Sequence, residues 1–301
     1  MFFYRKVSAV LFVPIIFLFL LSACGSSISN NSSSSGTVQI VAAENFYGDI
    51  AQQLGREHVS VQSILSDPNI DPHTYESNIN NARAVSAANL VIENGGGYDD
   101  WMEKLLSSSP NQKRLVVKGY ESAPTKLQDN EHVWYNIDNI QAIAQTIADK
   151  LKSLDAAHAA DYDANFQAFK QSLGQVRQKI RAIHDRYNGT PVGLTETIFL
   201  YQTGPLGLKV VTPFEFQKAV AEGNDPPADS VVAAENQVRQ KQIKVLIYNQ
   251  QTISSVTTKV QDDAKAEQIP LIPVTETMPP SKTYQTWMLD QLNALETGLG
   301  K

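Results

Sequence analysis

The sequence predicts an α/β protein of two lobes, each a parallel sheet with flanking helices, joined by one long rigid helix. Three observations carry this. Short apolar runs alternate with longer segments of helix-forming composition, as expected for strands buried on both faces by helices. The alternation stops near the middle of the chain and then starts again. An uninterrupted amphipathic stripe fills the interval.

In the first half, Val38 to Ala43, Val59 to Leu65, Leu90 to Glu93 and Leu115 to Val117 read as strands. Phe46 to Leu54, Glu76 to Ala88 and Tyr98 to Leu106 read as helices between them, with a further helical segment after His132. In the second half the strands are Val192 to Thr195, Leu208 to Val211, Val245 to Tyr248 and Leu271 to Val274. The helices there fall near Ile198 to Thr203, Ala228 to Lys241, Ser254 to Gln268 and Tyr284 to Leu299.

Between the halves, Tyr162, Phe166, Phe169, Leu173, Val176, Ile180, Ile183 and Tyr187 recur at spacings of 4, 3, 4, 3, 4, 3 and 4. That is one face of a helix, stopped by Asn188-Gly189. The stripe predicts a helix lying against its own protein rather than a coiled-coil seam, because it mixes aromatic with aliphatic residues and is flanked by α/β lobes. A helix of about thirty residues reaches about 45 Å, enough to run along both lobes. The predicted boundaries are an N-terminal lobe over 37–154, a connecting helix over 155–188 and a C-terminal lobe over 189–301. A single stiff connector restricts the lobes to small tilts, which suits a small ligand held by strong bonds.

Arg5 and Lys6 precede the apolar segment Val7 to Leu21, which is interrupted by Pro14 and shorter than the roughly twenty residues of a spanning helix. Leu21-Ser22-Ala23-Cys24-Gly25 then resembles a bacterial lipobox, with Cys24 as the lipidated residue. Residues 1–23 are accordingly expected to be a lipoprotein signal peptide. Residues 24–36, rich in serine, are expected to be a tether. Cys24 is the sole cysteine, so no intrachain disulfide can form. The net charge of −6 and the lack of a basic run argue against nucleic acid.

Four residues at predicted element ends could close around a divalent cation: His73 and His132 in the first half, Glu196 and Glu276 in the second. His73 stands in Asp71-Pro72-His73-Thr74-Tyr75-Glu76, beyond the carboxyl end of a strand, where open α/β sheets place ligands, with Glu76 opening the next helix. His132 is followed by Trp134 and Tyr135, which would exclude water. Glu196 and Glu276 each end a strand, in Thr195-Glu196-Thr197 and Thr275-Glu276-Thr277. His58, His158 and His184 are expected on solvated faces.

The lipobox, DPHTYE, EHVWYN, the segment from Thr195 to Tyr201 and the run KTYQTWM resemble the metal-binding lipoproteins of bacterial zinc and manganese ABC importers, the cluster A-I or cluster 9 substrate-binding proteins. The resemblance covers residues 38–299. It implies extracytoplasmic capture of one divalent ion as cargo, Mn²⁺ or Zn²⁺, by a lipid-anchored monomer at the cell membrane, and delivery to a permease driven by an ATPase subunit. His73 and His132 match the first two ligands and Glu196 the third, which is His in many zinc members and Glu in manganese members. Where many members carry Asp two residues before the tyrosine matching Tyr284, this chain has Lys282, so Glu276 stands as the fourth ligand, with Asp225 and Asp229 in reserve. Glu in place of a third His tilts the choice toward Mn²⁺. A metal-dependent adhesin is the alternative. A zinc hydrolase is disfavoured, because four protein ligands leave no open position for water and neither HExxH nor GxSxG occurs.

Overall fold

The computed structural model describes residues 1–4, 36–68, 70, 72 and 75–301. Cys24, His73 and nearly all of the expected signal and tether segments lie outside the described residues. The chain runs β1 (Val38–Glu44), α1 (Asn45–Gly55), β2 (Val59–Leu65), α2 (Ile79–Ala87), β3 (Leu90–Glu93), α3 (Asp100–Ser108), β4 (Leu115–Lys118), α4 (Gly119–Ser122) and α5 (Ile137–Leu154). The connecting helix α6 (Ala159–Tyr187) follows. Beyond it come β5 (Pro191–Leu194), α7 (Leu200–Thr203), β6 (Lys209–Val210), α8 (Phe214–Ala221), α9 (Ala228–Arg239), β7 (Leu246–Asn249), α10 (Ser255–Ala266), β8 (Leu271–Val274) and α11 (Tyr284–Leu299).

Each lobe is built on a four-stranded parallel sheet, ordered β2-β1-β3-β4 in the first and β6-β5-β7-β8 in the second. The central strands are mostly apolar because helices cover both faces; Leu90 to Glu93 are all buried, with the acid at the carboxyl end. Ile40 of β1 sits between Val61 and Leu90 on its neighbours, and Leu194 of β5 is in register with Ile247 of β7. In both sheets the chain reverses its winding direction at the first strand. The crevice at the carboxyl ends of the central strands is therefore the place where such folds hold ligands.

α6 holds the halves together. Its buried face is Tyr162, Asn165, Phe166, Phe169, Leu173, Val176, Ile180 and Ile183, and its 29 residues span about 44 Å. One continuous apolar core includes that face together with Phe46, Trp134 and Ile143 of the first half and Leu194, Trp287 and Leu292 of the second. Polar ties fix the helix at both ends of the interface. Asn165 Nδ2 donates to the Leu54 carbonyl at 2.9 Å, and Lys179 pairs with Glu296 of α11.

The structure departs from the sequence expectation at several elements. The helix after His73 starts at Ile79 rather than Glu76, because the Asn78 side chain accepts from the Asn80 and Asn81 amides and Asn81 returns a bond to the Asn78 amide. α8 is absent from the sequence expectation; Pro213 fixes its start and Gly223, at φ +69°, ends it. His58 and His158 are half-buried rather than fully solvated. The turn between α1 and β2 packs on the start of α6, and their rings stack with centroids 3.9 Å apart. His184 is the more exposed of the three, at 43% of its side chain.

Candidate metal centre

The carboxyl ends of the strands in the second lobe and the turn before α5 converge on one point. His132 ends the loop leading into the Val133–Tyr135 turn. Glu196 follows β5 and Glu276 follows β8. A ring nitrogen of His132 and one carboxylate oxygen from each glutamate all lie within 4.8 Å of one another, and the three residues are at most 1% exposed. One half of the chain supplies the imidazole and the other half both carboxylates.

Each group is oriented by its surroundings. Nδ1 of His132 lies 2.9 Å from Asn130 Oδ1, which also accepts from the His132 amide at 3.0 Å. Asn130 Oδ1 has no proton to give, so Nδ1 carries the hydrogen and Nε2 the lone pair. The Asn130 amide in turn donates to the Thr197 carbonyl at 2.7 Å, next to Glu196 and on the far side of the lobe boundary. Glu276 accepts from the Tyr98 hydroxyl at 2.8 Å on Oε2 and from Asn249 Nδ2 at 2.6 Å on Oε1. Its amide donates to Gln251 Oε1 at 2.7 Å, while Gln251 Nε2 donates to the Ile70 carbonyl, three residues before His73, at 2.8 Å. Trp134 stacks on Phe46 at 4.8 Å and meets the His132 ring edge-on at 5.2 Å, closing the site to water.

Two ionised carboxylates within 4.8 Å repel by about 3 kcal/mol at an effective dielectric of about 20. A divalent cation reverses that sign and finds in the same place a neutral nitrogen and hard oxygens, the donor set of Zn²⁺ and Mn²⁺. Burial this complete leaves no cleft at the three side chains for an organic molecule.

A second set of acids lies beside Tyr98. Glu44 ends β1, Glu93 ends β3, Asp99 immediately precedes α3, and all three are fully buried. Burial first, and then the charges of Asp99 and Glu93, push the Glu44 carboxyl well above the usual range. Burial, and then the Asp99 charge, raise Glu93 to about 7, opposed by Lys118 Nζ at 3.3 Å. Asp99 rises to about 6, held back by the Asn94 and Gly95 amides that donate to it at 2.7 Å. Burial followed by the Glu276 charge raises Tyr98 well above its ordinary value, so its hydroxyl remains a donor.

Sequence reasoning missed Tyr98, Asn249, Asn130 and Gln251 as supports. A signal was present: Glu93-Asn94-Gly95 and Tyr248-Asn249-Gln250-Gln251 put polar residues directly after apolar strands. Lys282 is on the surface, paired with Asp290 at 2.7 Å, and the reserves Asp225 and Asp229 are exposed; none of these joins the cluster.

Residues 40–298 match the family model described as zinc-uptake complex component A, periplasmic. The chain belongs to this family. Among relatives within and around it, the manganese-binding lipoprotein MntA of Halalkalibacterium halodurans is 26% identical over 183 residues, 60% of each chain. The manganese ABC transporter substrate-binding lipoprotein scaA of Streptococcus gordonii is 27% identical over 184 residues, 57% of this chain and 58% of that one. These matches span less than two thirds of either relative. The fold is that of the periplasmic zinc-binding protein TroA of Treponema pallidum, with a TM-score of 0.73 over 88% of this chain and 99% of that one at 16% identity. It is likewise that of FpvC of Pseudomonas aeruginosa, solved with Mn²⁺, at a TM-score of 0.72 over 87% and 98% with 19% identity. Among the described residues no helix is long and apolar enough to cross a membrane.

Proposed function

We propose that this chain is the extracytoplasmic receptor of an ABC importer, anchored through Cys24, that captures one Mn²⁺ or Zn²⁺ ion and passes it to a permease coupled to an ATPase subunit. The ion is cargo. His73, His132, Glu196 and Glu276 are its ligands, 37–154 and 189–301 are the lobes that enclose it, and the receptor works as a monomer. The observation that carries this reading is the buried meeting of His132, Glu196 and Glu276 from both halves of the chain. Family membership supports the transport role, and the names of the relatives as metal-binding lipoproteins support the anchor.

Two carboxylates and two imidazoles around a divalent ion form a neutral set, and the oxygen-rich half favours Mn²⁺ over softer ions. The expected result of elemental analysis is one transition-metal ion per chain, and competition calorimetry is expected to give measurable heat with Mn²⁺ as well as Zn²⁺. Zn²⁺ heat with none from Mn²⁺ would remove the manganese assignment. Absence of any bound transition metal would remove the function.

A further inference from the structure

A second constellation of ligand-type side chains lies at the opposite edge of the first sheet. His58 closes the turn before β2, whereas the cluster described above faces the carboxyl ends of the strands; seven residues of β2 separate the two edges, about 20 Å. Asp155, His158 and Asp161 come from the junction between α5 and α6. Ligand atoms of His58, Asp155 and His158 all lie within 4.8 Å of one another. Asp161 stands outside that group and is 57% exposed, but brings Oδ2 within 3.2 Å of His58 Nε2.

The arrangement resembles a site more than a pair of surface ion pairs. Asp155 is 6% exposed and its Oδ2 is held by the Tyr162 hydroxyl at 2.8 Å as well as by His158 Nδ1 at 2.7 Å, so an outer partner fixes the carboxylate. The His58 and His158 rings stack with 19° between their planes. Two imidazoles and two carboxylates make a neutral N₂O₂ set with a divalent ion, the preference of Zn²⁺.

We propose that His58, Asp155, His158 and Asp161 form a second zinc site that clamps the start of the connecting helix to the first lobe. Its side chains are partly open, 18% for His58 and 32% for His158, so an ion reaches it without any movement of the lobes. It therefore reads the surrounding zinc level directly, independently of the cargo.

Equilibrium dialysis of the full chain against Zn²⁺ tests this. Two ions per chain are expected for the wild type and one for His58→Ala/His158→Ala. In a His132→Ala background, Zn²⁺ is expected to raise the melting temperature by several degrees, and adding His58→Ala is expected to abolish that rise. Melting in EDTA separates lost binding from lost folding. Asp155→Asn, which keeps an acceptor for Tyr162, is expected to weaken the second ion at least tenfold. Two ions retained by the double variant, or no zinc-dependent rise in the His132→Ala background, would overturn the site. A wild type with a single ion that survives His132→Ala and vanishes in the double variant would instead leave this site standing and remove the cargo site.

Discussion

His132 has its Nδ1 committed to Asn130 and its ring walled by Trp134, so it can serve an ion only through Nε2. With His132 as a proposed ligand, His132→Ala is expected to weaken Mn²⁺ or Zn²⁺ binding by more than about 100-fold in calorimetry. Tyr98→Phe removes only a donor to Glu276 and is expected to cost less, in the roughly 10–100-fold range of an outer partner. Lys282→Ala should leave affinity unchanged, since its ammonium pairs with Asp290 at the surface. Glu93 gives a prediction of a different kind. Its folded carboxyl titrates at about 7 against 4.5 in the open chain, so the folded state keeps the proton longer. The stability it contributes is fully present below about pH 4.5 and is lost as pH rises toward 7. In EDTA, the wild type is expected to lose more stability than Glu93→Gln between pH 4.5 and 7.5, by up to about 3 kcal/mol. Equal losses of unfolding free energy for the two proteins between these pH values, measured by urea melts, would contradict the assignment.

At the scale of elements, α6 was legible because a stripe at spacings of 4 and 3 has a single physical meaning. Its buried residues are those the period selects except Tyr187, which is only half-buried, with Asn165 added because its amide finds the Leu54 carbonyl. Phe169→Ala empties part of that face and is expected to cost about 3–5 kcal/mol in denaturant unfolding. Gly174 sits on the exposed side with open space where a Cβ would stand. Gly174→Ala is therefore expected to stabilise by about 0.5–1 kcal/mol, which differential scanning calorimetry would detect as a rise of a few degrees. The strands were legible for the same reason: runs such as Leu90 to Glu93 are too short for a helix and too apolar for a loop. α8 was not, because eight residues bearing two phenylalanines and a glutamate between them carry too few periods to decide.

For the whole molecule, the two-lobed architecture followed from the restart of the strand–helix rhythm after residue 190, and the structure has two parallel sheets of matching order. Much less of the centre was readable. Glu196 and Glu276 were picked as acids at strand ends, but their closeness to His132 depends on how two sheets lean on one helix, and no local pattern encodes that. The stacked His58 and His158 escaped for the same reason, being 100 residues apart in the chain and joined only by the packing of α1 on α6. Since that helix is packed into the core of both lobes, scattering profiles with and without Mn²⁺ are expected to differ by little in radius of gyration. A large compaction would show a hinge where the structure has a strut.

His132, Glu196 and Glu276 are buried, with Trp134 against Phe46 and His132, and under the proposed function this bears on how an ion leaves. A chelator cannot touch an ion held there, so it must wait for the halves to part. The release rate measured with excess EDTA is then expected to plateau, indifferent to further chelator. The plateau value is the opening rate of the chain itself, which the permease of the proposed function would have to raise.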